Sequence, residues 1–513
     1  MNGQKIRQKT WAMLMTASMA TAALTGCSGN SGESASPAGS TSPTAAAAAK
    51  APLEVSYIWQ DQVIPNETHT LKDKELEKRF NVKLAPEYVN WDGSNDKLNV
   101  MFASGEYADF FMNINAGLQL NKWGQNGYLL PINDYLDKLP NYRKLFSEEE
   151  WNFLTKYVST GSGKIYFLPG QNPSKMQRVW IYRKDIFDKE GLKLPGTMDE
   201  LYQVLKTLKA KYPDSVPMSS RWGADGLLAG FTKGFRTDVD FWKNPDTNKV
   251  EYAPSTGNYR DMLVYLSKLY KENLIEKEFA TITGPQWEEK NYTGKSLIEY
   301  SYATRSVDFE NKAKAAPGTD WELLPQLIRG YSDKPALAPR ELPFYMSGGI
   351  AISSAVKGEK LDKILEMIDW LCTPEGSRLM QLGQEGQHYD TVGSKVKPKE
   401  QYKDFLTLFK ETGFHFFLGR ETQLAEPSVN DKVMELFGKE AYAPFVAFSF
   451  SDEDEKSKSS LVTGLNDKRL EFTQKAIMGT VDPSSDEAWN KYVQDLEKAG
   501  LSKLTEIYTR SAK

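Results

Sequence analysis

The sequence predicts an α/β protein built as two lobes, and three observations point there. The chain has 513 residues, too long for one typical domain of about 100 to 200 residues. It is 40% hydrophobic and 26% charged, a balance that supplies ordinary buried cores. Short apolar strand patterns alternate with amphipathic helix patterns, beginning with a βαβ unit, the element of a parallel sheet.

The N-terminal elements come first. Lys5, Arg7 and Lys9 precede a stretch without acidic residues from Trp11 to Ala23, the pattern of a secretory signal. The ending Leu24-Thr25-Gly26-Cys27 resembles the lipobox of bacterial lipoproteins, in which the cysteine is acylated and the chain is cut before it. Residues 1–26 are therefore expected to be a lipoprotein signal peptide and Cys27 the lipidation site. A chance cysteine after an ordinary signal, or an uncleaved membrane segment, is the alternative. Two acyl chains suffice for stable anchoring, so no transmembrane helix is required. Cleavage lowers the basic count from 64 to 61 against 68 acidic groups, a balance of −7. Residues 27–52, rich in Ser, Gly, Ala, Thr and Pro with five consecutive alanines, cannot bury enough apolar surface to fold and read as a tether.

Order is expected from Leu53. Leu53 to Trp59 alternates as a strand, Leu71 to Phe80 has helical spacing, and Asn81 to Tyr88 reads as a second strand. Further strands are expected at 109–113, 180–183, 296–300 and 349–353. Thr197 with Glu200 forms a capping box ahead of Leu201, Val204, Leu205 and Leu208 on one face. Tyr259, Met262, Leu263 and Leu266 repeat that spacing. Ser484 with Glu487 is expected to cap a helix carrying Trp489, Tyr492, Val493 and Leu496, which Gly500 stops. The charged run 451–458 reads as a solvated loop. Cys372 follows the stripe Leu361, Ile364, Leu365 and Ile368, which marks it as a small core residue.

Several function classes lose support. With 64 basic and 68 acidic groups and no basic stripe, nucleic-acid binding is not expected. His69, His388 and His415 lack metal-ligand spacing, and no metal or cofactor is expected. Thr293-Gly294-Lys295-Ser296 lacks the first glycine of a phosphate loop. Asn244, Asp246 and Asn248 alternate like calcium ligands, but Lys249 and Ser255 occupy the glycine and glutamate positions, which favours a hairpin turn. No Gly-x-Ser-x-Gly elbow is present.

Aromatic content is more informative: 12 Trp, 25 Tyr and 24 Phe in a chain without cofactor motifs. Aromatic faces suit the apolar C–H surfaces of sugar rings, while the hydroxyls require polar groups at the rim. Trp59 with Asp61, Trp91 with Asp92, Tyr300 and Tyr302 with Arg305, and His388 with Tyr389 combine both features. In an open α/β sheet the crevice lies beyond the carboxyl ends of the strands, where Trp59 and Asn113 are expected.

The chain also resembles the extracellular solute-binding proteins of family 1, the lipoprotein receptors of bacterial carbohydrate ABC importers. Beside the lipobox and tether, the resemblance rests on Met101-Phe102-Ala103-Ser104-Gly105-Glu106-Tyr107-Ala108-Asp109, on Tyr182-Arg183-Lys184-Asp185-Ile186-Phe187 leading to Leu194-Pro195-Gly196-Thr197-Met198-Asp199-Glu200-Leu201, and on Gly294-Lys295 before a strand. It continues through Ser347-Gly348-Gly349-Ile350-Ala351-Ile352-Ser353 and Gly383-Gln384-Glu385-Gly386-Gln387-His388-Tyr389. The last segment is similar to the large oligosaccharide-binding branch that includes alginate-binding receptors. That branch often carries a calcium loop, but Lys211-Tyr212-Pro213-Asp214-Ser215-Val216-Pro217-Met218 lacks its ligand series.

The resemblance implies a periplasmic-binding-protein-like fold of type II, with two hinge-connected lobes and a ligand cleft between them. It places 53–170 plus 301–346 in the first lobe and 171–300 plus 347–513 in the second. Crossings are expected at 169–178, 300–305 and 345–349, the last bringing in Tyr345. Trp59, Trp91 and Asn113 would then contact ligand from the first lobe, and Trp180, Trp222, Trp287 and Tyr389 from the second. The implied function is non-enzymatic: capture of an oligosaccharide at the extracytoplasmic face of the cell membrane, for delivery to ABC permease subunits. Arg178, Arg183, Arg221 and Arg305 extend the expectation to a uronic-acid-containing ligand, read by bidentate guanidinium contacts. The alternatives are a polysaccharide hydrolase or lyase with paired carboxylates in the cleft, a peptide or amino-sugar receptor, and a sensor subunit.

Overall fold

The computed structural model describes residues 51–512 apart from 62–63, 91–93, 106, 115–118, 173–175, 314–317, 332, 404, 414–417, 420–423, 441 and 443–445. Strands, numbered along the chain, form two sheets. The first has the order β2 (Val82–Asn90), β1 (Leu53–Asp61), β3 (Phe110–Ile114), β11 (Phe344–Ile352), β4 (Leu168–Gln171). The second has the order β10 (Trp321–Leu323), β5 (Arg178–Arg183), β9 (Ser296–Tyr302), β6 (Val216–Met218). Two hairpins complete the set: β7 (Phe241–Lys243) with β8 (Val250–Tyr252), and β12 (Tyr389–Val392) with β13 (Lys395–Pro398).

The opening βαβ unit forms as its pattern predicts. β1 pairs in parallel with β2 and β3, and between β1 and β2 runs the helix Leu71–Phe80. Thr70 and Asp73 close a capping box at its start, and Asn81, at φ 51°, ends it in the left-handed region that lets β2 begin at once. Tyr57, Ile58 and Trp59 are all buried, because helices cover both faces of this sheet and alternation gives way to a continuous apolar run. β11 then enters between β3 and β4, antiparallel to both. Gly349 sits at a register irregularity there, where a Cβ would lie 2.8 Å from the Phe167 ring.

In the second sheet, successive side chains feed two separate cores, as the period of 2 requires. Trp180, Tyr182 and Ile298 join a cluster with Leu205, Leu263, Leu465 and Leu496. Val179 and Ile181 face Trp287, Phe309, Trp321 and Phe437 on the other side. The helix Met198–Lys211 begins at the expected Thr197–Glu200 capping box, and Asn244–Asn248 turns the β7–β8 hairpin.

Four expectations are corrected. Segment 301–346 belongs with the first sheet only in its last residues, where β11 begins: β10 pairs with β5, and Phe309 and Trp321 pack in the second lobe. Nor does all of 347–513 belong with the second. β11 and the helices Gly358–Leu371 and Pro374–Leu382 pack in the first core through Ile350, Ile364, Ile368 and Met380. Periodicity marks a strand but does not say which sheet it joins. Accordingly, the chain does not cross at 300–305, where β9 leads into the helix Thr304–Lys312 of the same lobe, and 345–349 lies inside β11. The return crossing runs from the end of β10 to the start of β11. The third correction is a shift by one residue: Ser485, not Ser484, caps the helix Asp486–Lys498, because Ser484 Oγ bonds Asp482 instead. Gly500, at φ 100°, separates that helix from Leu501–Ser511. Lastly, the run 451–458 is the start of the helix Asp452–Ile477, capped by Ser451. Its acidic residues sit where the helix macrodipole favours negative charge.

Cys372 is buried and its thiol donates to the Ile368 carbonyl at 3.3 Å. Burial raises its pKa well above the usual range, which leaves it an inert core residue.

Candidate functional site

Both sheets turn one edge toward the crossings. In the first sheet that edge holds the carboxyl ends of β1, β3 and β4 and the start of β11. In the second it holds the carboxyl ends of β6 and β9 and the start of β5. Carboxyl ends are where ligand crevices form in open α/β sheets. Two of the passages between the lobes, that from β4 to β5 and that from β10 to β11, are stitched together at this point. The Asn172 backbone N–H donates to the Pro343 carbonyl at 2.9 Å, and its amide to the Leu342 carbonyl at 2.9 Å. Gln177 Nε2 donates to Tyr345 Oη at 2.8 Å and to Asn172 Oδ1 at 3.0 Å.

On the second-lobe side, β6 ends in Ser219-Ser220-Arg221-Trp222. Trp222 has φ 65° and is 51% exposed, two unusual features for a large aromatic residue in one place. Its ring lies nearly perpendicular to that of Tyr302, centroids 5.9 Å apart. Arg178 sits over both, 5.5 Å from the Trp222 ring and 4.9 Å from the Tyr302 ring, and donates to Tyr302 Oη at 3.1 Å. Arg178 and Tyr302 are register partners, as are Trp180 and Tyr300 one step deeper. The Trp180 and Tyr300 rings meet edge-on at 5.4 Å.

Arg221 is held between two indoles, 3.8 Å from the Trp222 ring and 4.2 Å from the Trp287 ring. Burial, with Arg305 adding to it, lowers its pKa to about 10, which leaves it cationic at neutral pH. Neither Arg178 nor Arg221 forms an ion pair with a described carboxylate, and each keeps a buried Nε without a hydrogen-bond partner. Glu341 is a nearby charge for Arg178: burial pushes its carboxyl up, and Arg178 opposes the shift. Arg305, in contrast, is engaged by Glu288 at 3.2 Å and Asp308 at 2.6 Å. Arg183 is committed to Asp185 through Nε and a second guanidinium nitrogen at 2.7 and 2.6 Å.

On the first-lobe side, Asn113, at φ 57°, reaches from the end of β3 to the end of β1. Its Nδ2 donates to the Gln60 carbonyl at 2.7 Å and to Asp61 Oδ2 at 3.1 Å.

Of the residues expected to bind, Asp61 and Asn113 stand at the edge of the first sheet, Trp222, Tyr300 and Tyr302 at that of the second and Tyr345 at the start of β11, while four others are corrected. Trp59 is 0% exposed and packs 6.4 Å from the Phe409 ring, since the face it occupies is covered by helices. Trp287 is 0% exposed, with Nε1 donating to Glu299. His388 is buried, its Nδ1 accepting from the Gln384 backbone N–H at 3.0 Å. Tyr389 is buried against Leu382 and Val396. Both lie beside first-lobe elements, because Gln384 bonds Glu75 of the first helix and Lys72 Nζ donates to the Met380 carbonyl. Trp180 is also buried, in the second-lobe core. Cys27, Trp91 and Asp92 lie outside the described residues. Sequence reasoning missed Asn172, Gln177, Glu299 and Glu341. Asn172, Gln177 and Glu341 act through partners more than 150 residues away, whereas Glu299 bonds Trp287 and Ser296 nearby in the chain, and no motif announces any of the four.

Chemically, the edge offers an aromatic platform, two cations and a rim of amide and phenol groups. Among the described residues no group of three or more His, Cys, Asp or Glu is placed to hold a metal ion, and no helix is long and apolar enough to cross a membrane.

Residues 62–377 match the model of the bacterial extracellular solute-binding protein family. The chain belongs to that family. Similar members include the polygalacturonan/rhamnogalacturonan-binding protein YtcQ of Bacillus subtilis (strain 168), 28% identical over 65% of this chain and 67% of that one. Lipoprotein LipO of the same organism is 27% identical over 62% of this chain and 63% of that one. The chain thus spans about two thirds of the length of these relatives. The alginate-binding protein AlgQ2 matches with a TM-score of 0.73 at 22% identity, covering 90% of this chain and 98% of that one. The Streptococcus pneumoniae ABC-transporter substrate-binding protein FusA in complex with kestose matches with 0.71 at 21% identity, covering 89% and 98%. The two-lobe solute-binding fold is therefore shared, and these relatives are binding proteins rather than enzymes.

Proposed function

We propose that the chain is the lipid-anchored receptor of a bacterial carbohydrate importer. It takes an oligosaccharide at the shared edge of its sheets and presents it, uncleaved, to the permease subunits of an ABC transporter. Trp222 carries this reading. A half-exposed indole in a strained backbone conformation at a strand's carboxyl end has little structural justification and a direct use as a platform for a sugar ring. The ligand contains uronic acid: Arg178 and Arg221 flank the platform without a described carboxylate counter-ion, and a sugar carboxylate supplies one in bidentate geometry. The name of the polygalacturonan-binding relative is consistent with this.

Capture shifts the lobes toward closure to the extent that sugar binds the closed form better. The stitched segments around Asn172, Gln177 and Tyr345 are the hinge. Cys27, behind a removed signal of residues 1–26, holds the receptor at the extracytoplasmic face of the membrane, and residues 27–52 are its tether.

The test is a thermal-shift screen against neutral and acidic oligosaccharides, with each recovered sugar analysed for length. At 100 times Kd a ligand stabilises the native state by about 2.7 kcal/mol. Stabilisation by intact acidic oligomers is expected. Shortened or unsaturated products would turn the assignment to an enzyme.

A further inference from the structure

Behind the Trp222 platform lies a group that the proposed site does not itself use. Glu299, on β9, is 1% exposed and faces away from Tyr300, toward the helix Gly284–Tyr292. Trp287 Nε1 donates to both of its oxygens at 3.1 Å, and Ser296 Oγ donates to Oε1 at 2.9 Å. Trp287 in turn presents its ring to Arg221, whose other face is covered by Trp222. The result is a stack running from solvent inward: Trp222, Arg221, Trp287, Glu299. The groups bearing on the Glu299 carboxyl are Ser296 of its own strand, Trp287 and Asn291 of the covering helix, and the Arg221 cation from the turn after β6. Arg305, beyond Trp287 at 5.5 Å, is already neutralised by Glu288 and Asp308.

We infer that Glu299 is a positioning residue acting through Trp287 on Arg221, and that its protonation controls how strongly the site holds a carboxylate-bearing sugar. The inference rests on the acidic-ligand reading above. With the carboxyl neutral, Glu288 is the one carboxylate among those acting on Arg221 that remains charged, and it is shared with Arg305, so the guanidinium is available to ligand. With Glu299 ionised, the Arg221 charge is partly satisfied from inside, and a sugar carboxylate meets a second negative charge across the stack. Burial raises the Glu299 pKa to about 8, with its donors and Arg221 opposing. The neutral state therefore prevails below about pH 8, and affinity for an acidic sugar falls as pH rises through that value.

The experiment titrates the full chain with a galacturonate oligomer and with a neutral oligomer of matched length, from pH 6 to 9, below the Arg221 pKa of about 10, in wild type and Glu299→Gln. Glutamine keeps an acceptor for Trp287 Nε1 and cannot ionise. Wild type is expected to weaken for the acidic oligomer by about fivefold or more above pH 8, the scale of a modest coupling between sites, while Glu299→Gln stays flat. Acidic binding without that fall, or the same fall in Glu299→Gln, overturns the role of Glu299 and leaves the acidic-ligand reading standing. Binding of the neutral oligomer alone overturns both. Should Glu299→Gln fail to fold, Ser296→Ala serves. It removes a donor that favours the ionised carboxyl, so the midpoint moves to higher pH, and an unmoved midpoint overturns the inference.

Discussion

Trp222 is the residue on which sequence and site meet. Left-handed backbone at a non-glycine residue costs of order 1–3 kcal/mol, so the ring is retained against a local preference. Trp222→Gly relieves the backbone while deleting the platform. Chemical denaturation is expected to find its stability within about 1 kcal/mol of wild type, with sugar binding lost; a large stability loss would instead make Trp222 a structural residue. His388 gives a second test. Burial lowers its pKa, with Glu411 opposing, so the neutral form is the native one. Its contribution is present above the unfolded pKa of about 6.5 and lost as pH falls below it. Wild type should lose more stability than His388→Gln between pH 7 and 5, and equal losses would exclude this role. Tyr302 is legible as an aromatic beside polar groups, whereas Trp222, Trp287 and Tyr345 enter only through the lobes and crossings that the resemblance implies. Trp59 looks the same locally as Tyr302, and only the elements that cover it and Trp287 separate core from platform. For Trp287 the deciding partner is Glu299, on a strand that follows its helix.

At the scale of elements, local sequence specifies most of what forms. The Thr197 cap is one such signal: its side chain accepts from the Glu200 backbone N–H at 3.1 Å. Thr197→Ala should lower stability by about 1 kcal/mol, measured by denaturant unfolding, and no change would mean that tertiary packing alone holds this helix. Assembly of elements is less legible, as Lys72 illustrates. A lysine on a charged-looking helix is 1% exposed and donates to carbonyls of Met380 and Gly413, more than 300 residues away. Burial lowers its pKa to about 7, with Asp73 opposing. The unfolded chain keeps that proton up to about pH 10.4, so this group adds stability as pH rises from about 7 toward 10. Melting Lys72→Met beside wild type at pH 7 and 9 should show the smaller gain in the mutant. An identical gain would mean Lys72 is charged in the native state.

For the whole molecule, two lobes follow from chain length and the alternation of patterns, but their composition does not. β11 leaves the second lobe's stretch of chain to pair inside the first sheet, and β10 does the reverse. Strand pairing of this kind depends on long-range packing that a single sequence does not display. The consequence is functional, because two of the crossings created by this exchange run side by side and are joined by Asn172, Gln177 and Tyr345. The proposed capture of sugar on the Trp222 platform, at the edge these crossings share, is tested most directly by calorimetric titration of wild type and Trp222→Ala with an acidic oligosaccharide. Saturable one-site binding by wild type and at least about tenfold weaker binding by the variant, corresponding to about 1.4 kcal/mol, are predicted. Equal affinities in the two proteins would contradict it.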